Sequence, residues 1–479
     1  MIRVIRTATL LLPLVFTVNA TERPTGFATP QLNQSASEAA LLSIRRSDAS
    51  VRDPKGTITK LAAAEHMRRA SIYLTNRAFA EARAHWQALI NYYPEDARVP
   101  EALLGIGRSY FLAKDYELGY PIFNRLAQDY PGTKEGREGL NYSAATLLRL
   151  GRFNEAAARY AEYCDRYPNG ERIDTAHLNV IDTQREANNP TEALKWVTRT
   201  RQRFTGTAVE TNAIFAALRL YIAENQWNDA VITADELSRR SFSKAVLTTR
   251  TEVAYLRGFA LEHAGRKGEA INAYLAVPDS IDSYYGWLAT QSLTKLAGSS
   301  ASLAEREGKV NSSIAAVADT YPAPYRLAII NAAKQRKLDP RFILALIRQE
   351  SVFRPTAKSP AGARGLLQLT MDAAQKYASG AGMSNVKESQ LYDPSTSIVL
   401  GAEYIETLTQ MFPDLLEPVA ASYNGGEDNV ARWLKRSKRN DPGVFTAEIG
   451  FDETKDYVQK VMSNYRVYRQ LYTADLLRR

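Results

Sequence analysis

Three stretches near the C-terminus carry residues whose types and spacing could do chemistry. They are Ala345-Leu346-Ile347-Arg348-Gln349-Glu350-Ser351, Gly362-Ala363-Arg364-Gly365-Leu366-Leu367-Gln368 and Ala421-Ser422-Tyr423-Asn424-Gly425-Gly426. In the first, an apolar helical stripe runs Phe342, Ile343, Leu346, Ile347, and the next position on it is Glu350. A carboxylate on a core face costs several kcal/mol unless it is paired or neutralised, so its pKa should rise. A carboxylic acid kept protonated near neutral pH can serve as a general acid. On spacing alone, Glu350 could equally be an exposed helix-end residue or one paired with Arg348 or Arg354.

The surrounding sequence supplies elements to hold these groups. Asp339-Pro340 is a helix start, an acidic N-cap followed by proline at the first helical position. This helix should stop before Pro355, because Arg354 is biased away from helical angles. Ser359-Pro360-Ala361-Gly362 and Gly365 predict a turn-rich segment beside the carboxylate, and Leu366 to Tyr377 predicts a resumed helix. Tyr423-Asn424-Gly425-Gly426 predicts a turn that caps a helix beginning near Pro418.

The chain has 479 residues, 45% hydrophobic and 24% charged, an ordinary globular balance that points to two or three domains. Residues 1–20 read as a secretory signal peptide: Arg3 and Arg6, a short apolar run from Leu10 to Val18, then Val18-Asn19-Ala20. The run is too short to span a bilayer, although an uncleaved N-terminal anchor is the alternative. No cysteine follows the cleavage signal to take a lipid, and no transmembrane segment is expected in the mature chain. The only cysteine is Cys164, so no internal disulfide can form and packing must supply the stability. A net charge of +9 favours anionic polymers, membranes or nucleic acid without separating them.

The middle of the chain repeats. Phe79-Ala80-Glu81-Ala82, Tyr116-Glu117-Leu118-Gly119, Phe153-Asn154-Glu155-Ala156, Pro190-Thr191-Glu192-Ala193 and Trp227-Asn228-Asp229-Ala230 follow at a 37-residue step, and Lys267-Gly268-Glu269-Ala270 comes 40 residues later. Tyr93-Pro94, Tyr130-Pro131 and Tyr167-Pro168 keep the same step. Apolar spacing between markers is helical, as in Ala102, Leu103, Ile106 and Tyr110. Two-helix units of this length resemble tetratricopeptide arrays, with a slightly longer period and a partly kept consensus. The small residue closing each marker should let helices approach closely, and the marker aromatics are expected in the core of the stack.

Residues 321–479 resemble the catalytic domain of family 1 lytic transglycosylases, which are periplasmic enzymes with a lysozyme-like helical domain. The resemblance rests on Arg348 to Ser351, Lys358 to Gln368, Ala421 to Gly426 and Glu448-Ile449-Gly450-Phe451-Asp452-Glu453-Thr454-Lys455-Asp456-Tyr457-Val458, in the family's order. Ser283 to Ala289 resembles an upstream element of the same family. The resemblance implies a lysozyme-like helical domain over 321–479, and with the readings above it gives an all-α protein: residues 1–20 a signal peptide, 21–60 a flexible leader, 61–296 a superhelix of tetratricopeptide-like repeats and 297–320 a linker. It assigns Glu350 as the single catalytic acid/base, with Ser359, Gln368, Tyr423 and Asn424 on the substrate. Glu448 is implied as a second groove carboxylate, against the plainer reading of an ion pair with Lys455. Tyr457 and Tyr465 read as core aromatics. Leu367, Met371 and Gly450 depart from the family, which commonly has Met, Pro and Pro there, so altered subsite detail is expected.

The implied reaction cleaves the bond between N-acetylmuramic acid and N-acetylglucosamine in peptidoglycan and closes a 1,6-anhydro ring, with no cofactor and no metal. Only four histidines and one cysteine occur, none at ligand spacing. Expected partners are peptidoglycan strands and, through the repeats, cell-wall synthesis or division proteins, not nucleic acid; the expected location is the periplasm. Two other readings stay open: hydrolysis in the manner of a goose-type lysozyme, and a non-catalytic scaffold.

Overall fold

The computed structural model describes residues 30–50, 58–298, 300–360 and 362–479. The expected signal peptide lies outside these residues. Among them are 23 α-helices and no strand, only isolated bridges. No helix among them is long and apolar enough to cross a membrane. The fold is all-α, helical repeats followed by a further set of packed helices.

The chain divides into two compact units, one ending at Trp196 and the other running from Val197 to Arg479. This break falls inside the helix Pro190–Arg203. In the first unit the repeats are helical hairpins: Ala63–Thr75 with Phe79–Tyr92, Val99–Leu112 with Tyr116–Asp129, and Lys134–Arg149 with Phe153–Arg166. Each marker residue opens the second helix of its hairpin. The small residues Ala82, Ala156, Ala193, Ala230 and Ala270 are fully buried, whereas Phe79, Tyr116, Phe153 and Trp227 are only half-buried. Close approach of backbones therefore sets the period, and the aromatics cover its edge. Tyr93, Tyr130 and Tyr167 each cap a helix C-terminus, as pre-proline residues should.

Within the segment expected as a leader, Pro30–Ser50 form a helix. Asp48 near its end is buried, accepts hydrogen bonds from Tyr73 (2.5 Å) and pairs with Arg69 and with His85 (3.0 Å). Buried partners give that helix end a fixed seat which low apolar content did not suggest.

In the second unit the hairpins Ala208–Ala223 with Trp227–Ser238 and Arg250–His263 with Lys267–Leu275 lead to Tyr284–Ala297. The expected linker is instead largely the helix Ala301–Ala316, whose Leu303, Val310 and Ile314 share one face and join the core. That core is continuous from Ile214 to Leu476. At its centre lies Pro340–Ser351, with Phe342 to Ile347 all at most 2% exposed. It packs on Asp452–Leu471, Phe342 meeting Tyr465 edge-on at 5.6 Å.

Buried polar links bind the repeat helices of this unit to the helices around the site. Lys455 donates to Glu252 at 2.9 Å, and Tyr285 donates to the same carboxylate at 3.1 Å. Tyr284 donates to Glu417 at 3.1 Å. Burial pushes the Glu417 carboxyl up to about 7, against the favourable bonds it accepts.

Candidate active site

The Glu350 helix begins as expected, Asp339 accepting the amide of Arg341 at 2.9 Å. It ends one turn before Pro355 by a sharper device than proline bias. Val352 and Phe353 both take left-handed angles, φ 50° and 60°. A β-branched residue there is strained, and the strain adjoins the acid. The kink releases the chain immediately after Glu350, so the carboxyl stands at the end of an otherwise buried helix.

None of the described residues among 358–370 is helical. Lys358 bridges to Arg364 and Arg364 to Leu369, so a closed loop replaces the first turns of the helix expected from Leu366. The helix is Met371–Ala378, with Thr370 as its N-cap, accepting from Ala373 at 3.3 Å. Met371 stands at the first helical position, where proline is also tolerated. Gly365 has φ 77°, and a Cβ there would lie 1.9 Å from the Leu391 carbonyl, so only glycine closes this loop. The Ser359 hydroxyl accepts the Ala363 amide at 3.0 Å. Gln368, at φ 46°, donates from Nε2 to the carbonyls of Ala357 (3.1 Å) and Gly365 (2.9 Å), which leaves its Oε1 for a ligand.

Helix Leu416–Gly425 brings up the third group and stops at Gly426, φ 83°. The Tyr423 hydroxyl donates to the Leu367 carbonyl at 2.6 Å, locking this helix to the loop. Asn424 Oδ1 accepts from the Thr454 hydroxyl at 2.6 Å, so its amide NH2 is the end free to meet a substrate acceptor.

Glu350, Ser359, Gln368, Tyr423 and Asn424 line one cavity of about 150 Å³, together with Ala363, Leu369, Thr370, Ala373 and Tyr404. Glu350 is its sole carboxylate. The acid is half-buried, open to the cavity and otherwise enclosed by protein. Tyr457 donates to its Oε1 at 2.6 Å. Desolvation dominates, pushing the carboxyl up to about 8, and the Tyr457 bond works the other way. The hydroxyls of Tyr423 and Tyr457 are held well above their usual range, by burial first and by the nearby carboxyl second. They are therefore donors, not bases, at any working pH.

Two expectations change. Glu448 is not in the cavity: it is 1% exposed, with Arg219 at 3.0 Å and Arg436 at 3.2 Å. Its predicted partner Lys455 pairs with Glu252 instead. Two guanidiniums outcompete one ammonium, because their forked donors satisfy a dry carboxylate better. Leu367 is fully buried, and a Cβ on Gly401 would lie 2.3 Å from its Cδ1. Its departure from the family therefore touches the core, not the cavity wall.

Tyr457 and Tyr404 belong to the site and sequence reasoning missed them. Tyr457 was read as a core aromatic, and it is one at 2% exposure, yet a buried phenol needs a partner for its hydroxyl. That requirement was the available signal; which group would answer it was not legible.

Residues 327–445 match the transglycosylase SLT domain family, and residues 67–133 match the tetratricopeptide repeat family. The chain is 37% identical over 143 residues to a putative soluble lytic murein transglycosylase of Haemophilus influenzae, covering 29% of this chain and 24% of that protein. It is 32% identical over 161 residues to the soluble lytic murein transglycosylase of Escherichia coli K12, covering 33% of this chain and 24% of that protein. The alignments thus span about a quarter of the length of these curated relatives. A solved structure of an inactive mutant of lytic transglycosylase Slt from Pseudomonas aeruginosa shares the fold, with TM-score 0.50 at 18% identity over 92% of this chain and 86% of that one. The likeness is thus to a transglycosylase SLT domain at residues 327–445, behind helical repeats that match the tetratricopeptide repeat family at residues 67–133.

Proposed function

We propose that this protein is a peptidoglycan lytic transglycosylase, cutting between N-acetylmuramic acid and N-acetylglucosamine with Glu350 as its only acid/base. The observation that carries the reading is a lone carboxyl in a small, largely apolar cavity: Glu350 is the one carboxylate lining it, and burial pushes that carboxyl up to about 8. Ordinary glycosidases need two carboxylates, the second as nucleophile or base. A substrate that brings its own nucleophile needs one.

Tyr457 occupies Oε1 as a donor, so the acidic proton sits on Oε2. Glu350 gives that proton to the glycosidic oxygen as the bond to the muramic C1 breaks. The muramic acetamido oxygen closes onto C1 and holds the positive charge. The Glu350 carboxylate, steadied by Tyr457, then takes the proton of the muramic C6 hydroxyl. That oxygen displaces the acetamido oxygen at C1, giving a 1,6-anhydro ring and restoring the acid. The ring closure is intramolecular, so correct positioning supplies most of its advantage. The amide of Asn424 and Oε1 of Gln368 are suited to hold the sugars' acetamido and hydroxyl groups.

We place the enzyme in the periplasm, in wall remodelling or turnover, with the repeats as a dock for wall-synthesis or division proteins. The test is mass spectrometry of digested murein sacculi. Anhydromuramic ends with wild type, and none with Glu350→Gln, are expected. Reducing muramic ends would replace this reading with hydrolysis, and full activity of Glu350→Gln would end it.

A further inference from the structure

A second, larger cavity of about 670 Å³ lies at the other end of the Glu350 helix. Arg341, one of its lining residues, is nine positions before Glu350, or about 14 Å along the helix. The helices Tyr284–Ala297, Ala301–Ala316 and Asp452–Leu471, together with Arg479 beyond the last of them, supply the rest of its wall. Four arginine side chains line it, Arg341, Arg466, Arg469 and Arg479, against one side-chain carboxylate, the exposed Glu307.

These arginines fall into two pairs. Arg341 and Arg466 are fixed: Asp339 holds Arg341 at 2.7 Å, and the fully buried Asp279 takes both ends of Arg466 at 2.7 and 3.0 Å. Arg466 also lies over the ring of Trp287, 5.8 Å from its centroid. Arg469 rests on the Tyr465 ring at 5.6 Å, and neither it nor Arg479 has an ion-pair partner among the described residues. Two free guanidiniums, two braced ones and an indole edge make a site for a ligand with several carboxylates and an apolar part. Its volume is within the range of small-ligand pockets.

We propose that this cavity binds the peptide side chain of the strand that the active site cleaves. The inference rests on the transglycosylase reading for the identity of the strand. The sugars of peptidoglycan are nearly neutral, whereas the peptides hung on muramic acid carry free carboxylates and small apolar side chains. A glycan seated on Glu350 has no use for four arginines beyond the far end of that helix. Peptide held there would tether a strand, lowering KM for peptide-bearing substrate while the bond-breaking groups stay the same. Attraction between exposed charges also weakens with salt.

The test has two arms on the full chain. In the first, the free stem tetrapeptide and inorganic phosphate are titrated into wild type and into Arg469→Glu/Arg479→Glu, both exposed positions. Tetrapeptide should bind wild type at least ten-fold more tightly than phosphate does, and at least ten-fold more tightly than it binds the variant. Equal affinity of tetrapeptide and phosphate, or of the two proteins for tetrapeptide, overturns the proposal. In the second arm, cleavage is compared on intact sacculi and on strands stripped of peptide. The ratio of kcat/KM on intact to stripped strands should fall at least five-fold in the variant, through KM; an unchanged ratio also overturns it. If wild type opened neither substrate, the catalytic reading would fall, and the titration would still decide this cavity.

Discussion

Tyr457 donates a 2.6 Å hydrogen bond to Glu350 Oε1 from a helix 107 residues further along the chain. It is the one polar contact that tempers the desolvation of the acid. The bond favours the carboxylate form, so it sets how far burial can raise the pKa.

Replacing Tyr457 by Phe removes that bond and leaves the ring in place. The Glu350 pKa should then rise above about 8, because nothing opposes desolvation. In the proposed mechanism the acid works protonated, so the alkaline limb of the rate profile should move to higher pH, by roughly half to one unit. The rate at its optimum should fall about ten-fold, because the carboxylate formed in the second step loses its support. A pH profile of anhydromuropeptide release checks both.

Glu350→Gln should lower the rate by at least about 100-fold, the usual share of a general acid. It should also change how stability depends on pH. Folded Glu350 keeps its proton up to about 8, whereas the unfolded side chain loses it near 4.5. Its stabilising share is complete below 4.5 and is lost as pH rises through 8. The variant has no such loss, so its Tm should gain on wild type between pH 5 and pH 9. Glu417, raised to about 7, contributes a similar loss in both proteins and cancels from the difference. Thermal denaturation of the pair across that range reads it.

Glu448→Gln should act on stability, not on substrate binding. It leaves Arg219 and Arg436 buried with no carboxylate between them. Breaking a buried pair in this way costs about 3 kcal/mol or more. Denaturant unfolding should show that loss, while KM for glycan strands measured below the transition stays within about two-fold, since Glu448 lies outside the cavity.

Lys455→Met strands the fully buried Glu252 and should cost about 3 kcal/mol. Adding Glu252→Gln removes the stranded charge, so the double variant should be more stable than Lys455→Met alone. A double-mutant cycle by chemical denaturation measures the coupling, expected at about 1–3 kcal/mol. Additive losses would mean that this link does not tie the repeat helices to the helix bearing Tyr457.

Local periodicity determined much of this protein. The 37-residue step placed the first residue of each second repeat helix, because a fully buried small residue must recur there. The spacing from Phe342 to Ile347 put Glu350 on an apolar face, and Asp339-Pro340 set the start of its helix. Glycines and the ordered motifs located the loop and the turn that bring Ser359, Gln368, Tyr423 and Asn424 to it. Partnerships across the chain were decided only by tertiary structure. A carboxylate in the sequence is a charge without an address: Glu350 faces a cavity and one phenol, whereas Glu448 is drawn between two arginines from different helices. Burial and the nearest donor fix the role of each acid, and both are properties of the packed core, which no local spacing encodes.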